Sequence, residues 1–242
     1  MRLRARHLGA AFMFVALGIV GCDATDDPVA PERNTAVERS NDRSSSDDGG
    51  DDAATVYVVH GINGTDLGFD EALPVDIAVN ESCVLEDVEF RDIEGPLSLE
   101  EGSYDLAVYL DPEGDLSCGG DPAIEADGVE LDDDDNVSIT AHLDASGEPT
   151  LTPFTNDVTA KPGKTRISAR HAANFGAVDL IVDGEKPFTG LENGGQVGAF
   201  LRPGSHTVAL TPEGTMTRVF ELTSDFEPFV LYAAYAVGTP AN

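Results

Sequence analysis

The sequence predicts an all-β chain of two related units behind an export segment and an acidic linker. Short alternating segments rich in Val, Ile, Thr and Tyr, punctuated by Gly, Pro, Asn and Asp, predict strands. A set of landmarks that recurs in the same order predicts the duplication. A change of composition at Ala54, from charged and small residues to alternating apolar ones, marks where the folded chain begins.

The first 22 residues, "MRLRARHLGAAFMFVALGIVGC", run from three arginines into an apolar stretch, Leu8 to Val20, and stop at Gly21-Cys22. A spanning helix needs about 20 predominantly apolar residues, and this run is shorter, so residues 1–21 read as a signal peptide. The ending "IVGC" resembles the lipobox of bacterial lipoproteins. That resemblance implies that Cys22 is lipidated, becomes the mature N-terminus and anchors the protein to a membrane of a bacterial cell envelope, on the periplasmic side or the cell surface. Residues 22–53 hold clustered acids and serines with no apolar periodicity, and read as a disordered acidic tether. As a flexible coil it would span about 30 Å.

From Ala54 onward the strand-like segments are "TVYVVH" (55–60), "VDIAVN" (75–80), "YDLAVYL" (104–110), "NVSITAHL" (136–143), "TRISARH" (165–171), "VDLIVD" (178–183), "HTVALT" (206–211) and "FVLYAAYAV" (229–237). No window beyond the leader carries a helical stripe. Four landmarks recur. "VVHGIN" (58–63) matches "ARHAAN" (169–174), with His and Asn at the same spacing, and "VDIAVN" matches "VDLIVD". "LEEGSY" (99–104) matches "LRPGSH" (201–206), and "DPEG" (111–114) matches "TPEG" (211–214). From the aspartate of each VD segment to the leucine of each LxxGS element is 23 residues in the first copy and 22 in the second. The first copy is longer by eight residues between its His and its VD segment, and again after "DPEG". The units therefore run over 54–156 and 164–242.

These landmarks, a strand ending in His, a turn, a VD strand and an LxxGS element before the next strand, resemble the bacterial family known as domain of unknown function 4397, here in tandem. The resemblance implies that each unit is an immunoglobulin-like β-sandwich, and it implies no reaction. Where many members carry a proline after the His, this chain has "HGIN" and "HAAN".

The 242 residues include 14 Lys and Arg against 45 Asp and Glu, a formal charge of −31. Three of the basic residues and none of the acids lie in residues 1–21, so the processed chain would carry −34. Nucleic acid is excluded as a partner, because phosphate binding needs clustered cations. Such a charge also destabilises the compact state by self-repulsion, which salt screens. With Cys22 lipidated, Cys83 and Cys118 remain, and an even pair in an oxidising compartment predicts a disulfide. Neither lies in a CxxC spacing of a zinc site.

Candidate chemistry is sparse. On a strand, His60 shares a side with Val58 and Val56, and His171 with Ala169 and Ile167, whereas Asp76 and Asp179 lie opposite their apolar neighbours. The histidines are thus expected to face inward and the aspartates outward, which separates a would-be dyad. His60, Asn63, His171 and Asn174 read as structural corner residues whose side chains satisfy turn backbone groups. His142 and His206 stand alone in strands. "KPGKT" (161–165) resembles the end of a phosphate loop, but the earlier glycine would fall at Val158 and no helix follows. The run Asp132, Asp133, Asp134 and Asp135 is the candidate for weak calcium binding, since calcium takes many carboxylate and carbonyl oxygens, although a solvated hairpin tip is the favoured reading of it. No other cofactor is expected. The expected function is that of a non-catalytic envelope lipoprotein, with β-domains displayed for binding or envelope organisation and an unidentified protein or ligand partner. The alternative is a hydrolase or ligand-processing protein with a site at the junction of the two units. The absence of Trp weakens a carbohydrate-binding version, because sugar platforms use flat aromatics.

Overall fold

A computed structural model of the chain describes residues 5–7, 12–18, 53–111 and 117–239. Cys22, nearly all of the segment read as a tether, and most of the DPEG landmark lie outside the described residues. Among the described residues the chain is all-β, with 17 strands in four sheets and one 3₁₀ turn, Gly64–Leu67.

Two sheets come from the first half. One contains β3 (Ala53–His60), β6 (Ile93–Glu100), β9 (Asn136–Leu143) and β10 (Pro149–Thr155) in the order β10-β9-β3-β6. The other contains β4 (Val75–Val79), β5 (Ser82–Val88), β7 (Gly102–Leu110) and β8 (Ile124–Leu131) in the order β5-β4-β7-β8. The second half repeats both orders. β12 (Val178–Val182), β13 (Glu185–Leu191), β15 (Gly204–Pro212) and β16 (Phe220–Phe226) run β13-β12-β15-β16. β11 (Thr165–Ala173), β14 (Gln196–Leu201) and β17 (Val230–Gly238) join β1 (Ala5–His7) and β2 (Phe12–Gly18) in the order β1-β2-β17-β11-β14. The parallel pair β3/β9 has its counterpart in the parallel pair β11/β17.

Side-chain alternation builds the stack. From β3, Val56 and Val58 pack with Ile77, Val108 and Leu131 of the neighbouring first-half sheet. Tyr57 and Val59, on the opposite face, meet Leu231, Ala172 and Tyr235 of the second half. A third cluster, around Ile167, Leu180, Leu210 and Tyr232, fills the space between the two second-half sheets. β9 and β11 are therefore buried on both faces along most of their length.

Candidate functional site

His60 ends β3 and is 1% exposed. Its Nδ1 accepts from the Ile62 N–H at 3.3 Å and its Nε2–H donates to Leu73 O at 2.8 Å. His171, near the end of β11 and equally buried, repeats the arrangement: Nδ1 accepts from the Ala173 N–H at 3.4 Å and Nε2–H donates to Gly176 O at 3.1 Å. An N–H donor at Nδ1 selects the Nε2–H tautomer in both rings. Burial pushes both imidazoles below their ordinary value, outweighing the bonds to Leu73 O and Gly176 O that raise them. Burial thus favours the neutral ring, and both nitrogens of each ring are engaged with backbone groups.

The asparagines part company. Asn63 caps the 3₁₀ turn, its Oδ1 accepting from Thr65 N at 3.0 Å and Thr65 Oγ1 at 2.7 Å. Asn174 instead contributes its backbone N–H, to Gly238 O at 2.9 Å. The turn capped by Asn63 lies in the corner between His60 and β4, which is eight residues longer than the corner between His171 and β12, and the shorter corner has no such turn for Asn174 to cap.

The VD aspartates do face outward, as strand parity predicts, but that face is not open to solvent. Both lie on the strand face away from the core, yet Asp76 is 0% and Asp179 1% exposed. The physical reason is that hairpins and loops fold over that outer face. Asp76 accepts from Asp87 N at 3.2 Å and Cys118 N at 2.9 Å. Asp179 accepts from Gly190 N and Gly214 N, each at 3.1 Å, and from Lys186 Nζ at 2.7 Å. The Lys186 ammonium, with those two N–H groups, holds the Asp179 carboxyl below the usual carboxylate range. Cys83 and Cys118 form a disulfide beside Asp76, with Cα atoms 5.6 Å apart.

Between the halves lies a group that sequence reasoning missed. Arg170 on β11 is 1% exposed, bonded to Tyr235 Oη and Asn156 Oδ1 and, at 3.2 Å, to Thr155 O. Its guanidinium sits 4.9 Å from the Tyr235 ring and 5.4 Å from the Phe154 ring, and among the described residues no carboxylate pairs with it. Gln196 Nε2 to Thr155 O and Asn193 Nδ2 to Leu143 O add two more bonds across the same seam. His142 is likewise buried rather than idle: Nδ1–H donates to Leu143 O and Nε2 accepts from Thr152 Oγ1. Nor does His206 stand alone, because its Nδ1 lies 2.6 Å from Asp183 Oδ2, and that bond raises the imidazole above its ordinary value.

The acidic run forms the turn between β8 and β9. Asp132 N donates to Asp135 Oδ2 at 3.0 Å and Asp135 N to Asp132 O at 3.2 Å, with Asp134 in the left-handed region. Among the described residues, the cluster of three possible metal-ligand atoms within 4.8 Å of one another is Asp76, Cys83 and Cys118, not this run. The thiols of that cluster are consumed by the disulfide. Lys161 and Lys164 close a turn through Lys164 N to Lys161 O, and β11 follows directly.

The strand ending in a buried histidine, the latched VD strand and the hairpins around them can be compared with known proteins as a unit. The family described as Domain of unknown function (DUF4397) matches residues 54–181, more than half of the chain. This chain is a DUF4397 protein. The match starts at β3 and extends past β10 to take in β11 and nearly all of β12, so it contains His60 and His171 together with Asp76 and Asp179. No curated protein matches the chain.

Proposed function

We propose that this DUF4397 protein is a non-catalytic envelope lipoprotein that displays two tandem immunoglobulin-like sandwiches, 54–156 and 164–242, for binding or envelope organisation. Residues 1–21 direct export, Cys22 carries the lipid, and residues 22–53 tether the folded part to the membrane. The observation that carries the non-catalytic reading is the use of both ring nitrogens of His60 and of His171 on backbone groups, which engages the groups a general acid or base would use. Against a site at the junction, Val59, Phe154, Ala172 and Tyr235 pack together there and Arg170 is enclosed at 1% exposure. Tandem domains are supported by the strand orders β9-β3-β6 with β5-β4-β7-β8, which recur as β17-β11-β14 with β13-β12-β15-β16.

Cys22→Ala tests the anchor. The substituted protein should accumulate as an unprocessed precursor and no longer partition into the detergent phase. Processing and partition like the wild type would overturn the lipoprotein reading. A folded His171→Ala protein that loses a turnover found in the wild type would overturn the non-catalytic reading.

A further inference from the structure

We propose that the outer edge of β17 is a docking position for an extended, uncharged, apolar strand of a partner protein. The inference rests on the reading that residues 1–21 are removed on export. In the first half, β9 lies between β3 and β10. In the second half, β17 lies between β11 and β2, in seven antiparallel pairs from Val230↔Gly18 to Ala236↔Phe12. β2 therefore fills the place that β10 fills in the first half. Removal of the leader takes β2 away, and among the described residues no other strand lies along that edge.

The composition of β17 is that of an interior strand. "VLYAAYAVG" has no charge and no proline, and its side chains are buried on both faces, Tyr232 and Ala236 in one core and Leu231, Tyr235 and Val237 in the seam. Open edges are ordinarily blunted by charge, proline or bulges. Here β10 carries Pro149 and Pro153, β6 carries Glu94 and Pro96, and β5, β8, β13 and β16 all carry carboxylates, with the short β14 as the exception. β17 has no such device, and the backbone N–H and C=O groups that point away from β11 need partners.

What the edge accepts is indicated by what sits there: "FMFVALG", seven residues, apolar and uncharged. Strand addition of this kind draws affinity from main-chain bonds and selectivity from alternate side chains. A second copy is the poorer occupant, because two processed chains each carrying −34 repel.

The processed chain beginning at Cys22 is the form to test, and the N-terminal mass of the exported protein reports separately on the export reading. A peptide containing FMFVALG between lysine flanks should slow amide exchange along Val230–Gly238 by roughly tenfold or more, while a scrambled peptide with the same flanks should not. N-methylation at alternate peptide positions separates strand pairing from apolar adsorption. One set, either Phe12, Phe14 and Ala16 or Met13, Val15 and Leu17, should abolish the protection and the other spare it. Absence of protection, equal protection by the scrambled peptide, or equal binding of both methylated sets would overturn the proposal. Concentration-dependent protection of β17 without peptide would assign the edge to a second copy and overturn it in this form.

Discussion

Asp76 and Asp179 occupy the same place in two sheets, each on the strand that follows a buried histidine, and their carboxylates are closed in by different chemistry. In both, one donor is a backbone N–H from a left-handed residue late in the next strand, Asp87 (φ 56°) or Gly190 (φ 68°). In both, a second donor comes from the loop that follows the third strand on, after β7 or β15: Cys118 (φ 49°) or Gly214 (φ 74°). The second half places glycine at both left-handed positions, where it costs nothing, and adds the Lys186 ammonium. The first half places Asp and Cys there, where a Cβ is disfavoured, and has a long loop to hold, residues 111–123 against 213–219. Its answer is covalent, since the disulfide fixes Cys118 with its N–H on Asp76. A buried carboxylate needs two or three fixed donors, and the chain supplies the fixing either by glycine and an ion pair or by a disulfide.

The largest test of that comparison removes the covalent arm. Cys83→Ser with Cys118→Ser opens a loop of sequence separation 35, which in the chain-entropy model lowers stability by about 3–4 kcal/mol. Urea unfolding with residue-resolved exchange should place the loss in β4, β5 and β7, with β12, β13 and β15 little changed. Loss spread evenly over both halves would mean that the two latches are not independent.

Next in size, His60→Ala and His171→Ala should each cost about 1–3 kcal/mol, because each leaves a buried N–H, that of Ile62 or Ala173, without its side-chain acceptor, and His60→Ala also leaves the buried Leu73 carbonyl without its donor, whereas the Gly176 carbonyl is exposed. Similar costs in thermal or chemical unfolding would mark the two corners as equivalent. A much smaller cost at His171 would show that its longer bonds contribute less.

The same rings set an acid limit. His60, His142 and His171 all have folded values lowered below the ordinary 6.5, with burial the leading cause. Above that value both folded and unfolded states hold neutral rings and the linkage is silent. As pH falls below it, the unfolded chain takes up protons that the folded one refuses, so stability declines until the folded values are passed. Asp179, also lowered, adds a separate loss below the ordinary carboxylate value of 3.8. Melting temperatures recorded from pH 7 to pH 5 should fall, and the fall should be shallower in His171→Ala than in the wild type.

Smallest is the ion pair of the second latch. Lys186→Met leaves Asp179 with its two backbone donors and should lower the melting temperature less than loss of the disulfide does. Raising sodium chloride toward 1 M, where the Debye length shrinks to about 3 Å, should narrow the gap to the wild type while stabilising both acidic chains.

Most of the framework is legible in the residues themselves. The segments with clear alternation, such as "TVYVVH", "VDIAVN", "NVSITAHL" and "VDLIVD", are β3, β4, β9 and β12, and with β7, β11, β15 and β17 they are the strands at the middle of the four sheets. The strands that the pattern does not disclose, β5, β6, β8, β10, β13, β14 and β16, lie at sheet edges. There Glu86, Pro96, Asp127, Pro153 and Pro187 interrupt the apolar period, because an edge strand is half solvated and must discourage further pairing. The acid-rich stretch from Glu125 is one of these, a strand through Leu131 followed by the turn at Asp132–Asp135.

The site shows the same division. The repeated histidines and their inward direction follow from strand parity alone, a local rule that depends only on neighbours along the chain. Parity also puts Asp76 and Asp179 on the outer face, but whether that face is wet depends on hairpins that fold back from Asp87, Cys118, Gly190 and Gly214, up to 42 residues away. Arg170 was invisible for a like reason, since an arginine on a strand reads as solvent-facing until a second sheet, bringing Phe154 and Asn156, closes over it. Periodicity and charge are written locally and determined the all-β class of the chain and the strands at its centre. Which outer faces are covered, and by what, was decided only when sheets from distant parts of the sequence stacked, because burial belongs to pairs of surfaces and no single strand encodes its partner.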